Sequence, residues 1–452
     1  MKVFEELRAS FARGITRPLS WRIEQLKAIE AFLTENESLI IEALKKDLGK
    51  SKAEAWNTEV GFLLKDVRHT RKNLKRWLKP RKVSTPAVAK PGRSKLLLEP
   101  LGTVLIMGAW NYPMQLSLSP LIAAIAAGNT AILKPSEVSA NSARIMHEIL
   151  TQYLDPEAVA VLNGDASLAT ELLQLPFDHI FYTGGNRVGK IVMRAAAEHL
   201  TPVTLELGGK SPVLVSKKSD IKVTARRIAW GKWMNAGQTC IAPDYVLVEK
   251  EAYQPLVDAL LQSIKDFYTD DPQRSKDYGR IINEQHFRRL LTLMDGQTLI
   301  NDSDFDRSEL YIKPLLVDNP ASDSAIMQEE IFGPLLPIIR VDSFQQGIDF
   351  VRQREKPLAC YAFSNDKAEQ ADVEHQISTG NLCINDTMMF MLNDKLPFGG
   401  VGNSGMGRYH GEFGLRTFSH EKPVMTRSFH LDVALRYPPF SSQKLKWLKK
   451  LM

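Results

Sequence analysis

Cysteine is scarce in this chain. Its 452 residues hold three, Cys240, Cys360 and Cys383, without CxxC or Cys/His spacing. An odd, scattered set of this kind excludes a disulfide framework and a zinc framework, so a reducing compartment and no metal are expected. Long hydrophobic runs are lacking too. The most apolar segment, Leu116 to Ala127, is shorter than the ~20 residues that span a bilayer. The first residues, MKVFEELRAS, hold no apolar stretch of signal-peptide length, which makes a cytoplasmic location the expectation.

Acidic residues are missing from two places. Val67 to Lys95 carries eleven Lys or Arg and no Asp or Glu, and QKLKWLKKLM at the end adds four lysines. Outside them the balance is 43 basic against 52 acidic. The pI of about 9.0 is therefore regional, and with no nucleic-acid motif present no nucleic-acid partner is expected. The first run reads as a solvated helix face. In the tail, residues 441–452, packing on a partner subunit or disorder is favoured over an amphipathic helix on anionic membranes.

What is present is globular. A composition of 44% hydrophobic and 24% charged residues fits a folded protein, and the length calls for two or three domains. Trp21 to Phe32 has helical spacing, Ser51-x-x-Glu54 is a possible capping box, and Thr58 to Leu78 stays helical until Lys79-Pro80. Val83 to Leu101 reads as an extended arm. From Gly102 short apolar runs alternate with helical patterns. The strands expected are 103–107, 130–133, 158–162 and 179–182; the helices are 114–127, 140–153, 168–173 and 188–199. Repetition of this kind predicts a parallel sheet covered on both faces. A second series predicts strands at 213–215, 245–248, 335–340, 360–363 and 382–384, with a domain boundary near Gly208-Gly209. After Leu396 the Gly-rich PFGGVGNSGMG reads as loop, and the tail as a source of one more strand.

Chemistry concentrates in a few segments. Cys240 lies among turn-formers and amides, Asn235, Gly237, Gln238 and Thr239, where turn N–H groups or a helix N-terminus can supply the positive potential that a thiolate needs. Cys360 and Cys383 sit in apolar strand patterns and read as core. Glu206, between Leu205 and Leu207, is either a solvated strand end or a desolvated carboxyl able to take a proton from water. Asn111, in GAWNYP, is an ordinary turn residue or a donor to a reacting carbonyl oxygen.

Gly184-Gly185-Asn186-Arg187-Val188-Gly189-Lys190 follows a strand and opens a helix, as anion-binding turns do. It approaches a phosphate loop, yet Ile191 replaces the hydroxyl residue that would hold magnesium; a phosphate-loop nucleotide-binding protein is the alternative reading. Lys134 and Glu137, in KPSE, end another strand, where they can reach ribose hydroxyls. Tyr112, Met114, Trp230, Trp233 and Met234 flank the reactive segments and are either core or the wall of an apolar tunnel.

In this order WNYP, KPSE, TGGNRVGK, LELGGKSP, GQTCIAP, EEIFGP and PFGGVGNSGMG resemble the aldehyde dehydrogenase superfamily, most closely its class 3 branch. The resemblance spans nearly the whole chain. It implies a Rossmann-like cofactor domain (1–82 and 102–208), an α/β catalytic domain (209–395), and bridging or oligomerisation segments with a small β arm (83–101 and 396–440). It implies Cys240 as nucleophile, Glu206 as base for thioester hydrolysis, and Asn111 with the Cys240 N–H as oxyanion hole. Lys134, Glu137, Thr183, Gly184, Gly185, Gly189, Glu330 and Phe332 would bind the cofactor, NAD with NADP possible. The implied reaction is NAD(P)-dependent oxidation of an apolar aliphatic or aromatic aldehyde to the acid, in a homodimer. The short N-terminus fits class 3, and the hydrophobic C-terminal anchor that some relatives carry is not expected here. Two departures stand out: Ala109 where proline often precedes Trp-Asn, and Gly185 where Ser or Asn is usual.

Overall fold

Two six-stranded sheets carry the chain in the computed structural model, which describes residues 2–430 and 432–451. Met1, Leu431 and Met452, which fall in the expected first domain, bridging segment and tail, lie outside the described residues. In the first sheet the order is Gly405–Met406, Val203–Glu206, His179–Thr183, Thr103–Met107, Thr130–Lys134, Val159–Val161. All pairs are parallel except the first. Strand order therefore reverses between Thr103–Met107 and His179–Thr183, and a ligand crevice opens at the carboxyl ends beside such a switch point.

The second sheet runs Leu315–Asp318, Leu335–Val341, Tyr245–Glu249, Pro212–Val215, Ala359–Phe363, Asn381–Ile384, with every pair parallel. Strand Leu315–Asp318 is one that the sequence reading did not name. The chain passes between sheets within residues 207–211.

Helix Pro113–Ala127 is buried along its whole length, which explains its apolar surface on every side. Pro113 opens it and Gly128, at φ 92°, closes it in the left-handed region. Helices Leu19–Glu35 and Gly61–Trp77 pack on it. On the latter, Arg68 and Arg71 face solvent and share Glu30, each at 2.7 Å, so this part of the basic run is a paired surface face.

The arm is a separate antiparallel sheet, Arg81–Val83, Arg93–Pro100 and Ser419–Thr426. Three expectations need correction. The helix expected over 140–153 ends at Glu148 and continues as a short 3₁₀ turn, Leu150–Gln152. Segment 396–440 is not wholly a bridge, because Gly405–Met406 joins the first sheet and helix Gly411–Thr417 packs on Pro113–Ala127. The tail forms a helix, Ser442–Leu451. Among the described residues no helix is long and apolar enough to cross a membrane.

Candidate active site

Four candidate residues stand at or just beyond carboxyl ends of the first sheet: Asn111 after Met107, Lys134, Thr183 with its glycine turn, and Glu206. The second sheet meets them with its amino ends, since Cys240 precedes Tyr245–Glu249 and Glu330 precedes Leu335–Val341.

Cys240 ends a turn that is wound unusually tightly. Asn235 (φ 52°), Ala236 (φ 50°) and Gly237 (φ 77°) are all left-handed. A Cβ on Gly237 would lie 2.2 Å from the Gly333 carbonyl oxygen, so the nucleophile turn abuts the EEIFGP segment. Gln238 anchors the turn: its amide donates to Asn235 O at 3.0 Å and Arg280 O at 2.9 Å, and accepts from Ile282 N–H at 2.9 Å. Strain of this kind persists only where the surroundings over-determine it.

Asn111 comes to the same place. Its Nδ2 donates to Gln238 O at 3.1 Å, two residues before Cys240, which leaves a second N–H of the amide for another acceptor. The next residue, Tyr112, is joined through Oη to Thr239 Oγ1 at 2.7 Å. Cys240 is partly buried. Burial, then Glu330 and Glu206, push its thiol well above the ordinary range, against the backbone N–H groups of Cys240 and Ile241. The expected thiolate-favouring potential is therefore corrected: the turn amides are there, but two carboxyls and desolvation outweigh them.

Glu206 is 2% exposed, and neither carboxyl oxygen has a partner. Desolvation raises its proton affinity well above that of an ordinary carboxyl. The reading of Glu206 as a solvated strand end is thereby excluded. The enclosure comes from distant sequence: Thr183 lies beside it on one strand and Gly405 on the other. A Cβ on Gly405 would sit 2.1 Å from Leu205 O.

A dinucleotide fits the crevice, on three observations. Gly185 caps helix Asn186–Ala197 and has nothing within 4 Å of where its Cβ would be. Thr183 Oγ1 is buried without a partner. Lys134 Nζ, nearly buried, is held at 2.8 Å by Glu137, which reaches solvent. Gly189 differs from expectation. Its N–H is taken by Gly185 O and its missing side chain makes room for Leu207, so it packs helix on strand and does not face the crevice.

Across the crevice Glu330 is raised to about 8, chiefly by burial and then by Asp244. Arg289 grips the carbonyls of Glu330 and Ile331 at 3.2 and 2.6 Å. Phe332, at φ 49°, turns its ring edge to Trp110, 5.3 Å between centroids.

The five flanking apolar residues divide. Met114 and Trp233 are core, and Trp233 donates its indole N–H to Pro334 O at 2.9 Å. Tyr112 is buried beside Thr239, Met234 is partly buried, and Trp230 is 41% exposed. A segment that sequence reasoning missed lies next to Trp230. Thr387 Oγ1 sits 2.5 Å from where a Gly231 Cβ would be. Met389 and Leu392 follow, both exposed, while Phe390 stacks on Tyr361, whose hydroxyl donates to Ile241 O at 2.6 Å. The methionine-rich run Met388-Met389-Phe390-Met391 was its only sequence signal.

Comparison with known proteins shows the family. Residues 3–424 match the aldehyde dehydrogenase family. Aldehyde dehydrogenase family 3 member A2 of Mus musculus is 46% identical over 445 residues, 98% of this chain and 92% of the relative. The dimeric NADP-preferring aldehyde dehydrogenase of Rattus norvegicus is 46% identical over 434 residues, 96% of each chain. The substrate-bound state of Staphylococcus aureus AldH superposes with a TM-score of 0.97 at 46% identity, covering 99% of this chain and 98% of that one. The phosphate-loop alternative is not favoured by any of these. The chain belongs to the aldehyde dehydrogenase family, in its class 3 branch, and is an NAD(P)-dependent oxidoreductase of aldehydes.

Proposed function

We propose that Cys240 is the nucleophile, Asn111 Nδ2 with the Cys240 N–H the oxyanion hole, and Glu206 the base that frees the product. The observation that carries this reading is Asn111 Nδ2 held 3.1 Å from Gln238 O, which puts its free N–H beside the sulfur-bearing turn. Cys240 Sγ loses its proton to solvent and adds to the aldehyde carbon, and two N–H donors meet the oxygen that becomes negative. Bound NAD(P) supplies the hydride acceptor. Glu206 then takes a proton from water, which attacks the thioester carbon and releases the acid. Its desolvation makes it a stronger base than a solvated carboxylate.

Lys134 and Glu137 would hold the adenosine ribose, Thr183 to Gly185 the phosphates, and Glu330 with Phe332 the nicotinamide end. The Glu137 carboxylate favours NAD, and because it already spends itself on Lys134, NADP is accepted as a second cofactor. The substrate is an apolar aldehyde, supported by Tyr112, Met234, Trp230 and the Met389 to Leu392 lip.

The three-stranded arm leaves both outer strands, Arg81–Val83 and Ser419–Thr426, largely exposed, which supports pairing with a second copy as a homodimer; the rat relative is named dimeric. A cytoplasmic setting follows from the need to keep Cys240 a free thiol. The test is absorbance of reduced nicotinamide with aliphatic and aromatic aldehydes and each cofactor. Turnover is expected in wild type and none in Cys240→Ala; equal turnover in both sinks the reading.

A further inference from the structure

The N-terminal helical layer sends charge into the interior, and nothing in the reaction above uses it. Lys50 and Glu59 are both 0% exposed and meet at 2.6 Å. Buried pairs of this kind gain little over apolar side chains of equal volume, so their geometry matters more than their energy. Here the geometry converges on one loop. Lys50 Nζ donates to Asn111 O at 3.1 Å and lies 3.9 Å from the centre of the Tyr112 ring. Glu59 Oε2 accepts from the N–H groups of Met114 and Gln115, at 2.9 and 3.1 Å, the first turn of helix Pro113–Ala127. Asn111 O also accepts from Asn235 Nδ2 at 2.9 Å, and Asn235 N–H donates to Glu54 Oε1 at 2.8 Å.

Residues 50–60 therefore hold both ends of the oxyanion site: Asn111 by its carbonyl, and the Cys240 turn by its first residue. A π-helical turn, Trp56–Val60, brings Glu59 to the helix N-terminus, and such turns concentrate at functional sites. We propose that Lys50, locked by Glu59, is a positioning residue that fixes Asn111 for the oxyanion, acting through its backbone carbonyl without touching substrate. The inference rests on the role assigned above to Asn111.

The test compares Lys50→Met and the paired Lys50→Met/Glu59→Met, which removes both charges of the pair. Rapid-mixing measurement of the first turnover with benzaldehyde should show acylation slowed about 30- to 100-fold, the scale of a misplaced reacting group. Cofactor affinity, and alkylation of Cys240 by iodoacetamide, which needs no oxyanion donor, should stay within about 3-fold. Lys50→Arg should recover most of the acylation rate. In an Asn111→Ala background, Lys50→Met should add less than about 3-fold, because both changes remove one interaction.

Wild-type acylation in the paired variant overturns the proposal. So does parallel loss of acylation, cofactor binding and alkylation in both variants, which marks a purely structural pair, and so does full additivity with Asn111→Ala. Wild-type acylation in Asn111→Ala alone instead refutes the role of Asn111, and with it the premise.

Discussion

Glu330 Oε2 occupies the space that a side chain on Gly208 would need, 2.1 Å from where its Cβ would stand. The contact joins the residue two positions after Glu206 to the carboxyl across the crevice, so one missing methyl sets the width between the two sheets' contributions. Gly208→Ala should drive Glu330 aside at an overpacking cost of about 1–3 kcal/mol. Cofactor affinity is expected to fall about tenfold or more, measured by fluorescence titration.

The raised Glu330 has a consequence for stability. Its carboxyl titrates near 8 in the folded chain against an ordinary 4.5. Between those values the folded state holds a proton that the unfolded state has lost, so stability falls as pH rises through the window. Glu330→Gln removes that dependence. Thermal unfolding at pH 9 should show the variant about 2 °C or more above wild type, with the gap shrinking toward pH 5. A gap that grows toward acid would reverse the sign of the argument.

Much of this was legible before the fold was known, and the exceptions have physical reasons. The strands of both sheets announce themselves as short apolar runs; Leu315–Asp318 does not, because Pro314 and Asp318 frame it like a turn. The carboxyl of Glu206 is visible in the sequence, but spacing alone leaves open whether it is solvated or dry. Two residues of strand, Gly405–Met406, seal it, and a strand that short has no alternation to read. Nothing in the sequence marks Lys50 and Glu59 as interior, since periodicity cannot tell a solvated charge from one that is buried and paired; Glu54 reads there only as part of a capping box. Trp230 and Trp233 show the same limit in reverse: three residues apart, one is open and the other is core.

Cofactor choice is expected to turn on Glu137, whose carboxylate holds Lys134 Nζ at 2.8 Å and reaches solvent. A 2′-phosphate brought nearby meets that negative charge. Glu137→Gln removes the repulsion and frees the lysine to pair with phosphate, a change of about 1 kcal/mol for a solvated charge. The ratio of kcat/KM for NADP over NAD should rise about fivefold, mainly through KM. An unchanged ratio would place the ribose elsewhere.

Deacylation should depend on pH through Glu206. Burial raises its proton affinity, so the carboxyl stays neutral, and unable to accept a proton from water, to a higher pH than an ordinary carboxyl does. The rate of thioester hydrolysis is therefore expected to climb as pH rises above the usual carboxyl range and then level off. Glu206→Gln removes the base while keeping the shape of the side chain. Rapid mixing should then show a burst of reduced nicotinamide of about one equivalent, followed by a steady state lower by about 10²–10⁴-fold and without that rise with pH. Gly405→Ala offers a second route to the same step, because a Cβ there would press on Leu205 O and loosen the strand that keeps Glu206 dry. Admitting water should return the carboxyl toward its ordinary range, and the pH profile of deacylation should shift to lower pH. A profile that stays in place while Glu206→Gln still bursts would mean that the enclosing strand does not set the basicity of this carboxyl.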